Sequence, residues 1–114
     1  MVSNDEHVVK EWFESTLKFA VPVRDFANEG FALQSGCVEA VEGRPFAALM
    51  YAHDGHLISL FIWLTRELDS SSRTGSQHGY QWVEWRKARA DFCTVSDINL
   101  NLADLKRLQG LIAE

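Results

Sequence analysis

Residues 46–65 read FAALMYAHDGHLISLFIWLT, two apolar runs on either side of Asp54-Gly55. Aspartate and glycine both tolerate the positive φ of a two-residue type I′ turn, so this pair predicts a β-hairpin between strands 46–53 and 57–65. The second run has a single polar residue, Ser59, before Thr65, so its apolar residues do not alternate with polar ones. This pattern predicts a central strand that is covered on both faces.

Further strands are predicted on both sides of this hairpin. Residues 31–41 form the preceding strand, with Ser35-Gly36 as the site of a bulge or bend. Residues 80–85, which include three aromatic side chains, predict a fourth strand, and residues 90–95 predict a fifth. Between the third and fourth strands, residues 68–79 are polar and rich in serine and glycine, which predicts a mobile loop.

Amphipathic helices are predicted at both ends of the chain. The first should be capped by Ser3, Asn4 or Asp5 and should end before Pro22. Its apolar stripe consists of Val8, Val9, Trp12, Phe13, Thr16 and Leu17. The closing helix follows Asn99 or Asn101 and presents Leu102, Leu105, Leu108 and Ile112 on one face. Asn101 and Asp104 have the spacing of a capping box.

These elements predict an α+β fold: an antiparallel sheet of about five strands, flanked by an N-terminal and a C-terminal helix that pack on one face. We expect a simple meander and a single domain over residues 1–114, because 114 residues is a common domain size. A hydrophobic fraction of 46% is ordinary for a globular protein.

Charge and hydropathy exclude several classes of function. The net charge of −5 argues against a nucleic-acid partner, because such proteins usually carry a basic patch. Arg86, Lys87 and Arg89 are interpreted as a solvated turn. The longest apolar run, 57–64, is far shorter than the roughly 20 residues of a membrane-spanning helix. The acidic, polar N-terminus does not resemble a signal peptide.

No catalytic or metal-binding motif is evident. His53 and His56 flank the hairpin turn and could supply part of a zinc site, but such a site needs three or four ligands, and polar residues beside a turn are common. Ser96-Asp97 precedes the last helix, where such residues usually cap local structure. No nucleophile elbow or phosphate-binding glycine loop is present. We therefore expect no cofactor, no metal and no enzymatic activity.

The four tryptophans carry more information about binding. Trp82 and Trp85 are three residues apart on a predicted strand, so they point to opposite faces of the sheet. At least one of them should lie on a face that the helices do not cover. Trp63, Trp82 and Trp85 are therefore the candidate partner surface, for a protein partner or for self-association.

Several segments, in order along nearly the whole chain, resemble the extracytoplasmic domain of membrane-bound anti-sigma factors of proteobacteria. They are His7-Val8-Val9-Lys10-Glu11-Trp12-Phe13, residues 21–31 (VPVRDFANEGF), Val41-Glu42-Gly43-Arg44-Pro45, residues 55–63 (GHLISLFIW), Gly79-Tyr80 leading into Trp85, and Val95-Ser96-Asp97-Ile98-Asn99. The chain departs from the family at Glu11, often proline, and at Cys37 and Cys93, typically arginine and tryptophan.

The resemblance implies a regulatory or sensor role outside the cytoplasm. Family members look like a cytoplasmic anti-sigma region, one membrane helix and an outer domain, so residues 1–114 would be the periplasmic part of a longer inner-membrane protein. Only the cytoplasmic region would contact the extracytoplasmic-function sigma factor. The alternative is a free-standing small-molecule-binding or enzymatic α+β domain that uses the aromatic face.

Cys37 and Cys93 are predicted to be free, mostly buried thiols, although an oxidising periplasm would favour a disulfide. In a simple meander the first and fifth strands lie four spacings apart, roughly 19 Å. A disulfide needs Cα atoms within about 7 Å.

Overall fold

A computed structural model describes residues 3–17, 19 and 21–113. Within them, one α-helix at each end flanks a six-stranded antiparallel sheet with the strand order β1-β2-β3-β6-β5-β4. The elements are α1 (Glu6–Thr16), a 3-10 turn (Ala27–Glu29), β1 (Ala32–Val41), β2 (Arg44–His53), β3 (His56–Leu64), β4 (Ser70–Gln77), β5 (Tyr80–Lys87), β6 (Ala90–Asp97) and α2 (Leu102–Ala113). The predicted α+β class is confirmed, with six strands rather than about five.

All four hairpins turn through two residues of positive φ, as a type I′ turn requires. The turn pairs are Glu42-Gly43, Asp54-Gly55, His78-Gly79 and Ala88-Arg89. The predicted Asp54-Gly55 hairpin is therefore confirmed. Ala88-Arg89 makes the same turn without glycine, at φ 51° and 64°, which costs backbone strain. Hydrogen bonds hold this turn, because Ala88 N donates to Asp69 and Arg89 O accepts from Thr65 N.

The prediction of a mobile loop at residues 68–79 was wrong. Ser70–Gln77 is strand β4, which pairs with β5 at the edge of the sheet. An edge strand has only one hydrogen-bonded neighbour, and every β4 residue except Gly75 is exposed, so the segment does not need an apolar alternation. Gly75 is half-buried because the ring of Trp82 lies against it.

The simple meander was also wrong. Strand β6 returns beside β3, and residues 65–69 carry the chain from β3 out to the edge strand β4. Strand β6 suits the central position because Phe92, Thr94 and Ser96 are buried in it at alternate positions. The polar β4, which buries little, takes the edge instead.

Both helices pack on the same face of the sheet, α1 against β1 and α2 against β5 and β6. Asp5 caps α1 by accepting from His7 N and Val8 N, and Asn101 caps α2 by accepting from Ala103 N. Gly36 lets α1 approach closely, since a Cβ there would lie 2.8 Å from Val9 Cγ1 and 2.9 Å from Phe13 Cζ.

The connection between α1 and β1 completes the core between the helices. Its apolar side chains are buried: Leu17, Val21, Val23 and Phe26. The buried Tyr51 hydroxyl donates to Arg24 O at 2.8 Å. Burial, followed by the nearby Asp25, raises the pKa of Tyr51. The connection is thus tied to the centre of the sheet.

The expectation that β3 is covered on both faces was wrong for the part of the chain described. Ile58, Leu60 and Ile62 are fully buried on the helix side. On the other side Phe61 and Trp63 are half-buried by their neighbours within the sheet. That side of the sheet is the candidate functional site.

Candidate functional site

The sheet face opposite the helices, here called the open face, is built from cross-strand rows of side chains. Strand register defines one row as Cys37, Ala48, Phe61, Cys93, Glu84 and Arg73, running from β1 to β4. A second row is Ser35, Met50, Ser59, Val95, Trp82 and Gly75. A third contains Trp63, Asp91, Arg86 and Ser70. The apolar side chains concentrate on β2 and β3, and the charged ones on β4, β5 and β6.

An aromatic cluster forms the centre of the apolar half. The ring centroid of Phe46 lies 4.8 Å from that of Trp63 and 5.9 Å from that of Phe61, and the Phe61 and Trp63 centroids are 6.0 Å apart. These spacings are in the range of favourable aromatic pairs. Phe46 is 8% exposed, and the half-buried Phe61 and Trp63 present the accessible part of the cluster. Aromatic side chains of this kind supply contact area at little entropic cost.

The structure places the three predicted surface tryptophans in three different settings. Trp63 belongs to the aromatic cluster. The ring of Trp82 packs against Gly75, with ring atoms 2.4 Å from where a Cβ added at residue 75 would lie. Trp85 lies on the helix side, only 5% exposed, and stacks on Phe92 with centroids 5.0 Å apart. The expected opposite orientation of Trp82 and Trp85 is therefore confirmed, and Trp85 is not part of the open face.

A recess of about 290 Å³ opens at the charged half of the face. Its charged groups pair with one another, because Arg73 Nη2 lies 3.1 Å from Glu84 Oε1 and Arg86 Nε donates to Asp91 Oδ1 at 2.7 Å. Trp63 and Cys93 also line it. Paired charges beside an apolar wall suit the polar rim of a protein interface.

Both cysteines lie in one row of the open face and are unpaired, as predicted. Strands β1 and β6 are three spacings apart, about 14 Å, too far for a disulfide. Both thiols are half-buried rather than mostly buried. Burial, then the Glu39 carboxylate, raises the pKa of Cys37, and burial, then Glu84, raises that of Cys93 to about 11. Thiols held protonated in this way are poor nucleophiles.

The residues considered for catalysis make local contacts. The Ser96 hydroxyl is 2% exposed and donates to the Asp97 carbonyl. The Asp97 carboxylate accepts from Asn99 N and lies 2.9 Å from His56 Nδ1. The bond with His56 is the first cause of a lowered Asp97 pKa. These contacts fasten the chain before α2.

The histidines are not gathered into one site. His53 and His56 are register partners at the end of the hairpin, and His78 is in the β4–β5 turn. Across the described ranges, the one group of three potential metal ligands is His53, Asp54 and Asp104, which excludes His56 and His78.

Sequence reasoning missed Phe46, Met50 and Phe61 as open-face residues. The signal was present for Phe61, which is two residues before Trp63 and therefore on the same face of a strand. Met50 and Phe46 follow from the register of the Asp54-Gly55 hairpin.

No model of a protein family, no curated protein and no solved structure matches this chain. In the described part of the chain, neither helix is long and apolar enough to cross a membrane.

Proposed function

We propose that this chain is a regulatory domain that binds protein through its open face, and that it is the periplasmic, sensor part of a membrane-bound anti-sigma factor. The observation that carries the first half is the aromatic cluster of Phe46, Phe61 and Trp63 on a sheet face that no described segment covers. Phe46 is only 8% exposed, so the aromatic surface that a partner could contact is formed by the half-buried Phe61 and Trp63.

The anti-sigma assignment is supported by the sequence resemblance. Two of the segments that carry it, 41–45 and 55–63, form the β1–β2 turn and strand β3, which build the apolar half of the open face. In such a regulator, a contact at the outer domain changes the affinity of the cytoplasmic region for its sigma factor. The domain then acts by shifting a population or by gating proteolysis, without chemistry of its own.

The occupant that fits the open face best is a second copy of this domain. The five spacings of about 4.8 Å between the six strands, and eight residues at about 3.4 Å rise, give a face of roughly 650 Å². That area approaches the roughly 800 Å² that each partner contributes to a stable interface. A two-fold axis parallel to the strands would place β1 of one copy opposite β4 of the other. Exposed Glu39 would then lie across from the edge of the sheet that carries the Arg73–Glu84 ion pair.

A small-molecule site is the second candidate, favoured by the recess beside Trp63. Its volume of about 290 Å³ is at the lower end of ligand pockets, and both ion pairs would have to break before a charged ligand could use them. The geometry therefore favours a protein partner over a small ligand.

The native gene and a reporter test the assignment. We expect the full-length protein to have a membrane helix of about 20 apolar residues on the N-terminal side of this domain. In that protein, Trp63→Arg should change several-fold the output of a promoter that depends on the sigma factor encoded beside it. Leu68→Arg, at a residue 86% exposed and outside the open face, is the matched control and should leave the output unchanged.

Two results would contradict the proposal. A full-length protein without a membrane helix would remove the anti-sigma assignment. Equal reporter output from wild type, Trp63→Arg and Leu68→Arg, at equal protein level, would show that the open face plays no part in regulation.

A further inference from the structure

His53 is a buried histidine whose ring is fixed by two contacts. It is 6% exposed and stacks on Phe31 with ring centroids 4.3 Å apart. Its Nδ1 lies 2.7 Å from the carbonyl oxygen of Gly30. A carbonyl oxygen only accepts, so Nδ1 carries the proton, and in the neutral imidazole Nε2 presents a lone pair.

Nε2 of His53 has no hydrogen-bond partner among the described residues, although it is buried. It faces Asp54 Oδ2 at 3.4 Å and Asp104 Oδ2 at 3.3 Å. An imidazolium donating to a carboxylate would approach to about 2.7–2.9 Å. In the neighbouring pair, His56 Nδ1 lies 2.9 Å from Asp97 Oδ2. Neither carboxylate therefore forms a hydrogen bond with His53 Nε2.

The same distances fit three ligands around a metal ion. Zinc bonds histidine nitrogen and carboxylate oxygen at about 2.0–2.1 Å, so the edges of its coordination tetrahedron measure about 3.3–3.4 Å. Ligand atoms of His53, Asp54 and Asp104 all lie within 4.8 Å of one another. A histidine that donates its other ring N–H to a backbone carbonyl is the usual arrangement for a metal ligand, because that bond fixes the ring and its tautomer.

We propose that His53 Nε2, Asp54 and Asp104 bind a divalent transition-metal ion, Zn²⁺ in the first place, with water in the fourth position. Two carboxylates and a neutral imidazole balance the charge of the ion. Asp54 is 79% and Asp104 33% exposed, so the ion can enter from solvent. Arg107, one turn further along α2, donates to Glu29 O, and no ion pair in the described part of the chain joins it to Asp104.

The position of the three ligands defines what the ion would do. His53 ends β2, Asp54 begins the hairpin turn, and Asp104 lies in the first turn of α2. Bound metal would therefore fasten the C-terminal helix to the central hairpin and stabilise the folded domain by linkage. This site is independent of the open face, which lies on the other side of the sheet.

The test is calorimetric titration of the chelator-stripped domain with Zn²⁺, beside Asp54→Asn and Asp104→Asn. Both variants keep the size of the side chain, and asparagine tolerates the positive φ at residue 54. We expect one zinc per chain in the wild type, at least tenfold weaker affinity in each variant, and a higher melting temperature with zinc only in the wild type. Co²⁺ in place of zinc should give the intense visible absorption of a tetrahedral site.

His56→Gln is the matched control. His56 lies in the same hairpin as His53, and its ring also faces a carboxylate, that of Asp97, at hydrogen-bond distance. Zinc affinity in this variant should stay within about twofold of wild type, since His56 is outside the proposed ligand set. His53→Ala is a poorer test, because it also removes ring stacking from the core. The proposal is overturned if zinc does not bind at roughly millimolar concentration, or if Asp104→Asn binds it as the wild type does.

Discussion

Replacing Gly36 by alanine should loosen the docking of α1 on the sheet. A Cβ at this position would lie 2.8 Å from Val9 Cγ1 and 2.9 Å from Phe13 Cζ, against an ordinary carbon–carbon contact of about 3.5–4.0 Å. Val9 and Phe13 are both fully buried, so neither can turn into solvent. The helix or the strand must therefore move by roughly 0.7–1 Å.

The magnitude follows from two opposing effects. Overpacking of a core costs about 1–3 kcal/mol, while alanine in place of glycine recovers up to about 1 kcal/mol of unfolded-state entropy. We expect Gly36→Ala to lower the free energy of unfolding by about 1–2 kcal/mol. For a domain of this size, that loss lowers the melting temperature by about 5–10 °C.

Urea unfolding followed by circular dichroism measures this loss as a shift of midpoint at constant slope. The matched control is Gly110→Ala, at an exposed position inside α2 where no atom lies within 4 Å of the added Cβ. Alanine there should raise stability by about 0.5–1 kcal/mol. A Gly36→Ala protein as stable as the wild type would refute the close approach of α1.

Three further outcomes follow from individual side chains. Tyr51→Phe deletes the bond to Arg24 O and should cost about 1–2 kcal/mol in urea unfolding. Cys93, with its pKa raised to about 11, should react with iodoacetamide at pH 8 roughly a hundredfold more slowly in the folded than in the unfolded protein. The pKa of Asp97 is lowered by its bond with His56, so its folded value lies below the unfolded value of about 3.9. The stability that Asp97 contributes is therefore fully present above its unfolded pKa and is lost as the pH falls through its folded pKa. In urea unfolding measured at several pH values, His56→Gln should weaken this loss of stability at acid pH.

Local sequence signals predicted most of the elements. The Asp54-Gly55 pair specified its hairpin because both residues accept positive φ. Asp5 and Asn101 cap the two helices because their side-chain oxygens accept hydrogen bonds from backbone N–H groups of the first turn. The bulge was predicted at Ser35-Gly36, but the register shift lies between Leu33 and Ser35, and Ser35 and Gly36 pair regularly with Met50 and Leu49. For the hairpin and the caps, the physical cause lies within a few residues of the feature.

Long-range order was not predictable in the same way. Strand β4 carries serines, arginine and glutamine because an edge strand buries little, and such a composition is also that of a loop. The position of β6 beside β3 depends on which of the later strands is apolar enough to pair with the apolar β3. No local sequence pattern encodes that comparison between strands. Both errors therefore come from tertiary packing rather than from backbone preference.

The candidate sites likewise combine features with a local cause and features that depend on tertiary packing. Trp63, Trp82 and Trp85 were all predicted as the partner surface. Strand alternation is local and placed Trp82 and Trp85 on opposite faces, but the burial of Trp85 follows from where α2 packs. Asp104 was assigned to a capping box from its spacing to Asn101. Its carboxylate instead lies 3.3 Å from His53, a residue that is 51 positions away in the chain (104 − 53). No sequence motif joins groups at such a separation.

Sedimentation equilibrium of the domain tests the central claim, that the open face binds a second copy of the domain, most directly. The samples are wild type, Trp63→Arg and Leu68→Arg, each shown by circular dichroism to be folded. We predict that wild type and Leu68→Arg form a dimer as concentration rises, and that Trp63→Arg stays monomeric because a charge then lies in the apolar half of the face. A wild type that is monomeric at roughly millimolar concentration, or a Trp63→Arg protein that dimerises as wild type does, would contradict the account.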